Sequence, residues 1–513
     1  MSLRQENEQL RDLFKLLHNL PTEEGQEVIA RLKVADDPIQ VLRAVQEATL
    51  LINNPNSRSY SALMDSRLER LDLLALRENA IRVDAKPWTA VASDGIVSEL
   101  VSSFFNWENS FYVPIIDRDA FLEEMRSGNP ATAKYCTPFL VNAICADRCA
   151  FSGVSKKDLG DEFYNEAKKL LHLENGRVLD VDAMHEQTKD DPLKSRDRSV
   201  LCRLAWGLFI YESIVGYIYF QKSSLPPPKL PRCFEPPPSA NDGPAPNVDL
   251  FGNLHTNESK SPPLIRGALY LACDITVMLY ESMEWNETAE DKGIVGSEED
   301  LEKRREKIAE VRQWRANLPP NLRDDTNFTP QTCYLRAYMN EVLFSILKPL
   351  PANTEVEPGW TVKALQLNFC KIDIDNMERF VQVYTLRDYA CINICGAYNS
   401  ILILVQYLAD PTVHQMFAKA AYLIGETGGD FPMCRFILLA IRAMAWQAKN
   451  ALPANAKAYF ANLDEGKNYR DISFGIPEED KKKMVAQRGE PRPTHKGDDM
   501  GTLLFRWSAM SIE

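Results

Sequence analysis

The chain has 513 residues, a formal net charge of −13, 45% apolar residues and 26% charged residues. That apolar content excludes a globally disordered chain. The acidic balance argues against a bulk surface built to hold nucleic acid or an anionic membrane, since both call for basic residues.

The first predicted element is the opening stretch MSLRQENEQLRDLFKLLHNL. Leu3, Leu10 and Leu17 fall seven residues apart, and Leu13 and Leu20 repeat that step three places later. This spacing predicts a coiled-coil dimerisation seam over residues 1–25. A seam of roughly 20 residues is only marginally stable alone. Residues 26–90 read as a helical segment and a linker, with an Asn/Ser-rich stretch near 50–60.

Helical periodicity dominates residues 91–465. In SDGIVSELVSSFFNW, Ser93 or Asp94 can cap, and Ile96, Val97, Leu100, Val101, Phe104 and Phe105 recur on one face. SFYVPIIDRDAFLEEM reads as an extended approach to a helix, with Asp117 as N-cap and Ala120 and Phe121 opening the apolar face. RSVLCRLAWGLFIYESIVGYIYFQKSS predicts an apolar helix through Leu204, Leu208, Ile214, Tyr217 and Ile218. Trp206, Phe209 and the run Tyr217 to Phe220 add aromatic bulk, as core packing or as a pocket wall. Ser223 and Ser224 end it, and the prolines of 225–247 exclude a regular helix or central strand there.

SPPLIRGALYLACDITVMLYESM predicts a helix with Pro262 and Pro263 in its first turn. Residues 284–300, acidic and poor in apolar side chains, read as a surface loop. SEEDLEKRREKIAEVRQWRANLPP starts with the capping-box-like Ser297-x-x-Asp300 and carries Leu301, Ile308, Val311 and Trp314 on one side. CYLRAYMNEVLFSILKPL places Leu335, Met339, Val342, Leu343, Ile346 and Leu347 similarly. DYACINICGAYNSILILVQYLAD and FPMCRFILLAIRAMAWQAKNAL are apolar nearly all round, the pattern of buried helices. FILLAIRAMAW comes nearest to a membrane span, but it is too short and Arg442 interrupts it. Residues 466–513 form a charged tail with a short apolar patch, GTLLFRWSAM. No alternating strand pattern competes, so the expected fold is all-α: a short coiled coil, then one large multi-helix domain.

Signatures of catalysis are missing from this reading. There is no G-x-G-x-x-G, P-loop, G-x-S-x-G or H-E-x-x-H, and the six histidines are dispersed. The Asp-Asp pairs at 36–37, 190–191, 324–325 and 498–499 lack the third acid of a metal-diphosphate box and read as solvated loops. No secretory signal opens the chain. Eleven cysteines sit at irregular spacings without a C-x-x-C, the usage of reduced thiols in cytosol or nucleus. Cys145 with Cys149, and Cys391 with Cys395, share helical faces, but neither pair has two further ligands for zinc. They read as small buried hydrophobes. KRR at 303–305 and KKK at 481–483 read as solvated helix faces.

FYVPIIDRDAFLEEM resembles the aromatic–Pro–Ile–hydrophobic–Asp/His–Arg–x–x–Phe motif that opens the fungus-specific regulatory domain, or middle-homology domain, of zinc-cluster transcription factors. Phe111, Pro114, Asp117, Arg118 and Phe121 carry that match. TAKYCTPFLVNAICADRCAFS is similar to the domain's small-residue apolar helix, and RLAWGLFIYESIVGYIYFQKSSLPPPKLP to its later signature. There Trp206, Glu212, Ser224, Pro226 and Pro227 carry the likeness. MNEVLFSILKPL looks like a later buried helix of the family. The likeness covers residues 94–350 best, and the order of the motifs weighs more than any one of them.

The resemblance implies a nuclear, non-enzymatic transcription regulator that works through its helical domain. It also implies a homo- or heterodimer through the N-terminal seam, with transcription machinery or a coregulator as partner and no membrane. The family's zinc cluster begins with C-x-x-C, which this sequence lacks. No cofactor is therefore expected in this chain, and DNA is reached only through a missing module or a partner. An internal start, a natural truncation or a paralogue would each account for that, and a truncated form could reside in the cytoplasm. After Glu174 to Arg177, a mostly polar stretch stands where the family has two amphipathic helices. The alternatives are a helical scaffold without a transcriptional role and an all-α enzyme of unrecognised type.

Overall fold

The computed structural model describes residues 80–110, 114–151, 157–173, 195–218, 222–239, 246–323, 326–384, 390–427 and 433–461. The leucine seam at Leu3, Leu10, Leu13, Leu17 and Leu20, the 174–194 stretch and the charged tail lie outside them. Among the described residues there are fourteen α-helices and one two-stranded antiparallel sheet, so the fold is all-α.

Residues 80–85 run extended along helix α1 (Asp94–Ser103). Among the described residues no strand pairs with that segment, and side chains one helical turn apart meet its backbone groups. Ser102 bonds both the N–H (2.9 Å) and the carbonyl (3.1 Å) of Ile81. Ser98 does the same for Val83, at 3.0 and 3.1 Å. The Asp94 carboxylate takes the Ala85 N–H at 2.7 Å. A helix period of four thus matches an extended period of two. Ser93 is the N-cap of α1 but makes no side-chain cap bond. One π-helical turn, Phe104–Glu108, follows α1.

Helix α2 (Arg118–Ser127) begins where Asp117 accepts the Ala120 N–H and ends at Gly128, whose φ of 64° suits a residue without Cβ. Helices α3 (Pro138–Phe151) and α4 (Lys157–Leu173) pack along each other. A Cβ on Gly160 would lie 2.9 Å from that of Cys149. Cys145 and Cys149 are buried, as expected of small core residues. The side chains of Cys391 and Cys395 lie outside the described residues.

Helix α5 (Ser195–Ile218) packs on α6 (Ala268–Asp291), and α6 in turn on α9 (Pro330–Leu347). Between them lie α7 (Glu298–Ala316) and the short α8 (Pro320–Arg323). A small hairpin, β1 (Glu355–Glu357) with β2 (Trp360–Thr361), leads into α10 (Val362–Val383). The last described helices are α11 (Ala390–Leu404), α12 (His414–Thr427), α13 (Met433–Gln447) and α14 (Lys457–Phe460). Helix α9 is the axis of the molecule. Every residue of it except Arg336 is buried, with α6, α7, α10 and α11 packed round it. Each large apolar side chain fully buried there is worth about 1.5–3 kcal/mol. Thr329 and Thr332 close its N-terminus as a reciprocal capping box.

Several expectations are corrected. Pro262 and Pro263 do not open a helix: Leu264 exchanges two 2.8 Å backbone bonds with Val248, and α6 starts only after Gly267, at φ 73°. A Cβ at Gly267 would lie 2.3 Å from the Pro237 nitrogen, so the proline segment fixes where the helix can begin. Residues 284–291 are helix rather than loop. Trp285 and Asn286 hold that last stretch through bonds to Asp300 and to the Ser345 carbonyl. Arg304, in the KRR run, is 1% exposed rather than solvated. Leu208 faces outward on α5, while Trp206, Phe209, Ile210, Ile214 and Tyr217 face the core. Trp446 at the end of α13 is 75% exposed, so that helix is not buried throughout. Arg196–Tyr217, not FILLAIRAMAW, is the described stretch long and apolar enough to cross a membrane, and its aromatic face is packed inside the protein.

Candidate functional site

The motif residues meet around α5. Asn109 clamps the approach to α2: its side chain donates to the Ile116 carbonyl and accepts the Ile116 N–H, both at 3.0 Å. The backbone at Pro114 and Ile115 then lies directly on α5, where a Cβ at Gly207 would come within 2.9 Å of both residues. Asp117, besides capping α2, sits 3.8 Å from the Arg203 guanidinium of α5. Arg118 pairs with Asp119 and stacks over the Phe251 ring. Phe121 is fully buried against Phe105. Phe111 lies outside the described residues.

The second group of motif residues pins an irregular strap, residues 222–239, across α5 and α6. Glu212 accepts from the Ser223 hydroxyl, from the Ser224 N–H (2.8 Å) and from the Ser224 hydroxyl (2.9 Å). The Trp206 indole N–H donates to the Leu230 carbonyl at 3.1 Å. Arg232 lies between the Trp206 and Tyr270 rings, 4.7 and 4.5 Å from their centroids, and pairs with Asp274 at 2.5 Å. The Trp314 indole N–H reaches the same Asp274, tying α7 to the strap. Pro226 is exposed and Pro227 half-buried, so they shape the strap rather than fill the core. In this constellation Glu212 and the Trp206 ring hold the strap by its backbone and its serine hydroxyls, and Asp274 holds Arg232 and Trp314.

A second polar constellation lies inside the α9–α10–α11 layer, and sequence reading missed it. Asp373 on α10 has no exposed surface. Its Oδ1 accepts from Asn340 at 2.6 Å, and its Oδ2 has no partner among the described residues. Glu341, beside Asn340 on α9, accepts from Asn399 of α11 at 3.1 Å. Burial pushes the Glu341 carboxyl up to about 8, with the Asn399 bond a partial offset. Burial also raises Asp373 well above the usual carboxylate range, against the Asn340 bond and reinforced by the charge of Glu341. Burial thus favours the protonated form of both carboxyls.

Elsewhere buried acids have cations. Asp300 receives Arg304 Nε (2.9 Å), the Trp285 indole (2.9 Å) and the Gly296 N–H (2.8 Å). Burial works to raise this carboxyl, yet those bonds and the Arg304 charge hold it below its ordinary value. Glu108 on the π turn pairs with Arg148 of α3 at 2.7 Å, and there burial prevails and raises the carboxyl. Among the described residues no group of three or more His, Cys, Asp or Glu side chains could hold a metal ion. The cavity behind Pro114, lined by Ser110, Ala268, Gln331 and Tyr334, has a volume of about 10 Å³, room for one water.

No family model matches the chain, and no solved structure matches it. Two curated fungal proteins are similar to it. The notoamide biosynthesis transcriptional activator notL' of Aspergillus versicolor is 42% identical over 102 residues, 19% of this chain and 16% of that protein. The nitrogen assimilation transcription factor nit-4 of Neurospora crassa is 19% identical over an alignment covering 95% of this chain and 48% of that protein. The chain thus spans half or less of the length of each relative, and both relatives are fungal transcription factors.

Proposed function

We propose that this chain is the helical regulatory part of a fungal transcription regulator of the zinc-cluster class. The observation that carries the reading is the alignment of 95% of the chain with nit-4, over a helical body in which the motif residues converge on α5. The leucine series Leu3 to Leu20 pairs two chains, alike or different. Contact with DNA comes from a zinc cluster outside these 513 residues or from a partner chain, so zinc has no site in this one. The protein acts in the nucleus by engaging transcription machinery or a coregulator, without catalysis. The acidic surface suits a body that is held near DNA without touching it.

The test is a tethering assay. The full 513-residue chain is fused to a heterologous DNA-binding domain in a fungal host, with a reporter behind that domain's operator. A several-fold change in reporter output, up or down, relative to the DNA-binding domain alone is expected. A nuclear, full-length fusion that leaves the reporter at the level of the DNA-binding domain overturns the proposal.

A further inference from the structure

The strap is held to α5 by one more pair of side chains, which the motif residues do not include. Ser199 and Cys202, one turn apart on α5, both face Cys233 of the strap. The Ser199 hydroxyl donates to the Cys233 carbonyl at 3.1 Å. The strap runs from Leu230, bonded to Trp206, to Cys233, bonded to Ser199, and so passes Cys202, which lies between those two helix positions. Cys202 is buried, whereas Cys233 is half-exposed, unlike the other described cysteines, all of which are buried. Next to Cys233, Arg232 is fixed by Asp274 and two aromatic rings, so the backbone on that side is anchored. A partly exposed cysteine therefore lies beside a buried one, across the junction between a helix and an irregular segment.

We infer that Cys202 and Cys233 form a redox-responsive dithiol, which a peroxide converts to a disulfide that fastens the strap covalently to α5. The chemistry needs only this pair and the peroxide. Cys233, the less buried of the two, gives up its S–H proton as its sulfur attacks one peroxide oxygen. The O–O bond breaks, hydroxide leaves and takes up a proton as water, and Cys233 becomes a sulfenic acid. The Cys202 sulfur then attacks the Cys233 sulfur. The S–O bond breaks, and the leaving hydroxide takes the Cys202 proton. Two thiols and one peroxide thus give one disulfide and two waters. Burial pushes the Cys202 thiol up to about 12, with its bond to Cys233 and the Cys233 charge adding to the rise. A thiol so raised is not the sulfur that meets the peroxide first, which leaves it the resolving role.

Closure joins residues 31 positions apart and removes the freedom of the strap to lift from Trp206 and Glu212. The device belongs to the strap, and its test is independent of any promoter. The purified, fully reduced full-length chain is treated with hydrogen peroxide, alkylated and mapped with trypsin without reductant. A linked pair of peptides, 199–203 with 233–260, is expected, lost on adding dithiothreitol and lost in Cys233→Ser and in Cys202→Ala. Limited trypsin cleavage after the exposed Lys229 is expected to slow several-fold in the oxidised wild type and to be unchanged by peroxide in Cys233→Ser. Cys233→Ser, at a half-exposed loop position, keeps the test sound if the buried Cys202→Ala misfolds. Recovery of both cysteines as alkylated thiols, Cys233 as sulfinate, or Cys233 linked to another cysteine overturns the proposal. A 202–233 link that leaves cleavage at Lys229 unchanged overturns the fastening of the strap.

Discussion

Two aspartates with no exposed surface, Asp300 and Asp373, are shifted in opposite directions in one protein. At the α6–α7 junction, Asp300 is met by a guanidinium, an indole N–H and a backbone N–H, and its carboxyl is held low. In the α9–α11 layer, Asp373 is met by a single amide, and its carboxyl is driven high. Neither side chain reaches solvent, and the number and charge of the donors differ. Burial alone therefore does not set charge, and a fold can keep an acid inside either by pairing it or by keeping its proton.

The sharpest way to break the comparison is to make the first region resemble the second. Arg304→Met keeps the length of the side chain but leaves Asp300 without its cation, and also frees the Asn286 side chain and the Ile346 carbonyl that Arg304 bonds. Removing one partner of a buried pair costs about 3–5 kcal/mol. Urea unfolding at pH 7 is expected to show a loss of that size. Asp300→Asn added to Arg304→Met is expected to recover part of it, because the stranded charge is gone. A loss near zero for Arg304→Met would place Asp300 with Asp373 as a neutral acid.

The two regions also oppose each other in pH. Asp300 is depressed, so its contribution is present above its ordinary value of 3.8 and fades as the pH falls below that. Glu341 is raised from 4.5 to about 8, so its contribution is complete below pH 4.5 and is lost as pH rises towards about 8. Asp373 is raised and acts in the same direction. Stability measured from pH 3 to 9 is therefore expected to fall at both ends. Glu341→Gln is expected to flatten the alkaline arm, leaving the variant roughly 1–3 kcal/mol more stable than wild type at pH 8 relative to their difference at pH 5. Asp373→Asn is expected to act in the same direction, with the acid arm untouched, while the raised Glu108 keeps part of the alkaline arm in either variant. An alkaline slope that neither substitution changes would show that these two acids are ionised in the folded protein.

Much of this body was legible before its structure. The caps at Asp117 and Ser297 and the apolar stripe of Leu301, Ile308 and Val311 follow from local spacing, and local spacing is what a sequence displays. Arg304 was legible too, but was read by its basic neighbours rather than by its place. It falls on that same stripe, four residues after Asp300. Asp373 likewise lies on the buried face with Phe369, Cys370 and Met377. An ionisable residue on an apolar stripe is the signal that could have found both. The rest depends on distant contacts. Nothing near Pro262 announces that Val248 will hold Leu264 extended, and nothing near Cys202 announces Cys233. Of the motif residues, Trp206 and Glu212 could be found as residues, but their partners at Leu230 and Ser223–Ser224 depend on how the strap folds back.

The finest test separates charge from donor number at Asp300. Trp285→Phe removes the indole N–H that bonds Oδ1 but leaves Arg304 and Gly296 on Oδ2 and keeps an aromatic ring at the end of α6. A hydrogen bond to a charged group contributes about 1.5–3 kcal/mol when its loss strands a buried acceptor. The lost ring volume is small and close to the edge of the core, so the low end of that range is expected at pH 7. As the pH falls through the lowered titration of Asp300, the difference between the variant and wild type is expected to shrink towards that of a neutral bond, about 1 kcal/mol or less. A cost at Trp285 that does not change with pH would mean that the indole serves packing. The contrast between the two aspartates would then rest on Arg304 and the Gly296 N–H alone.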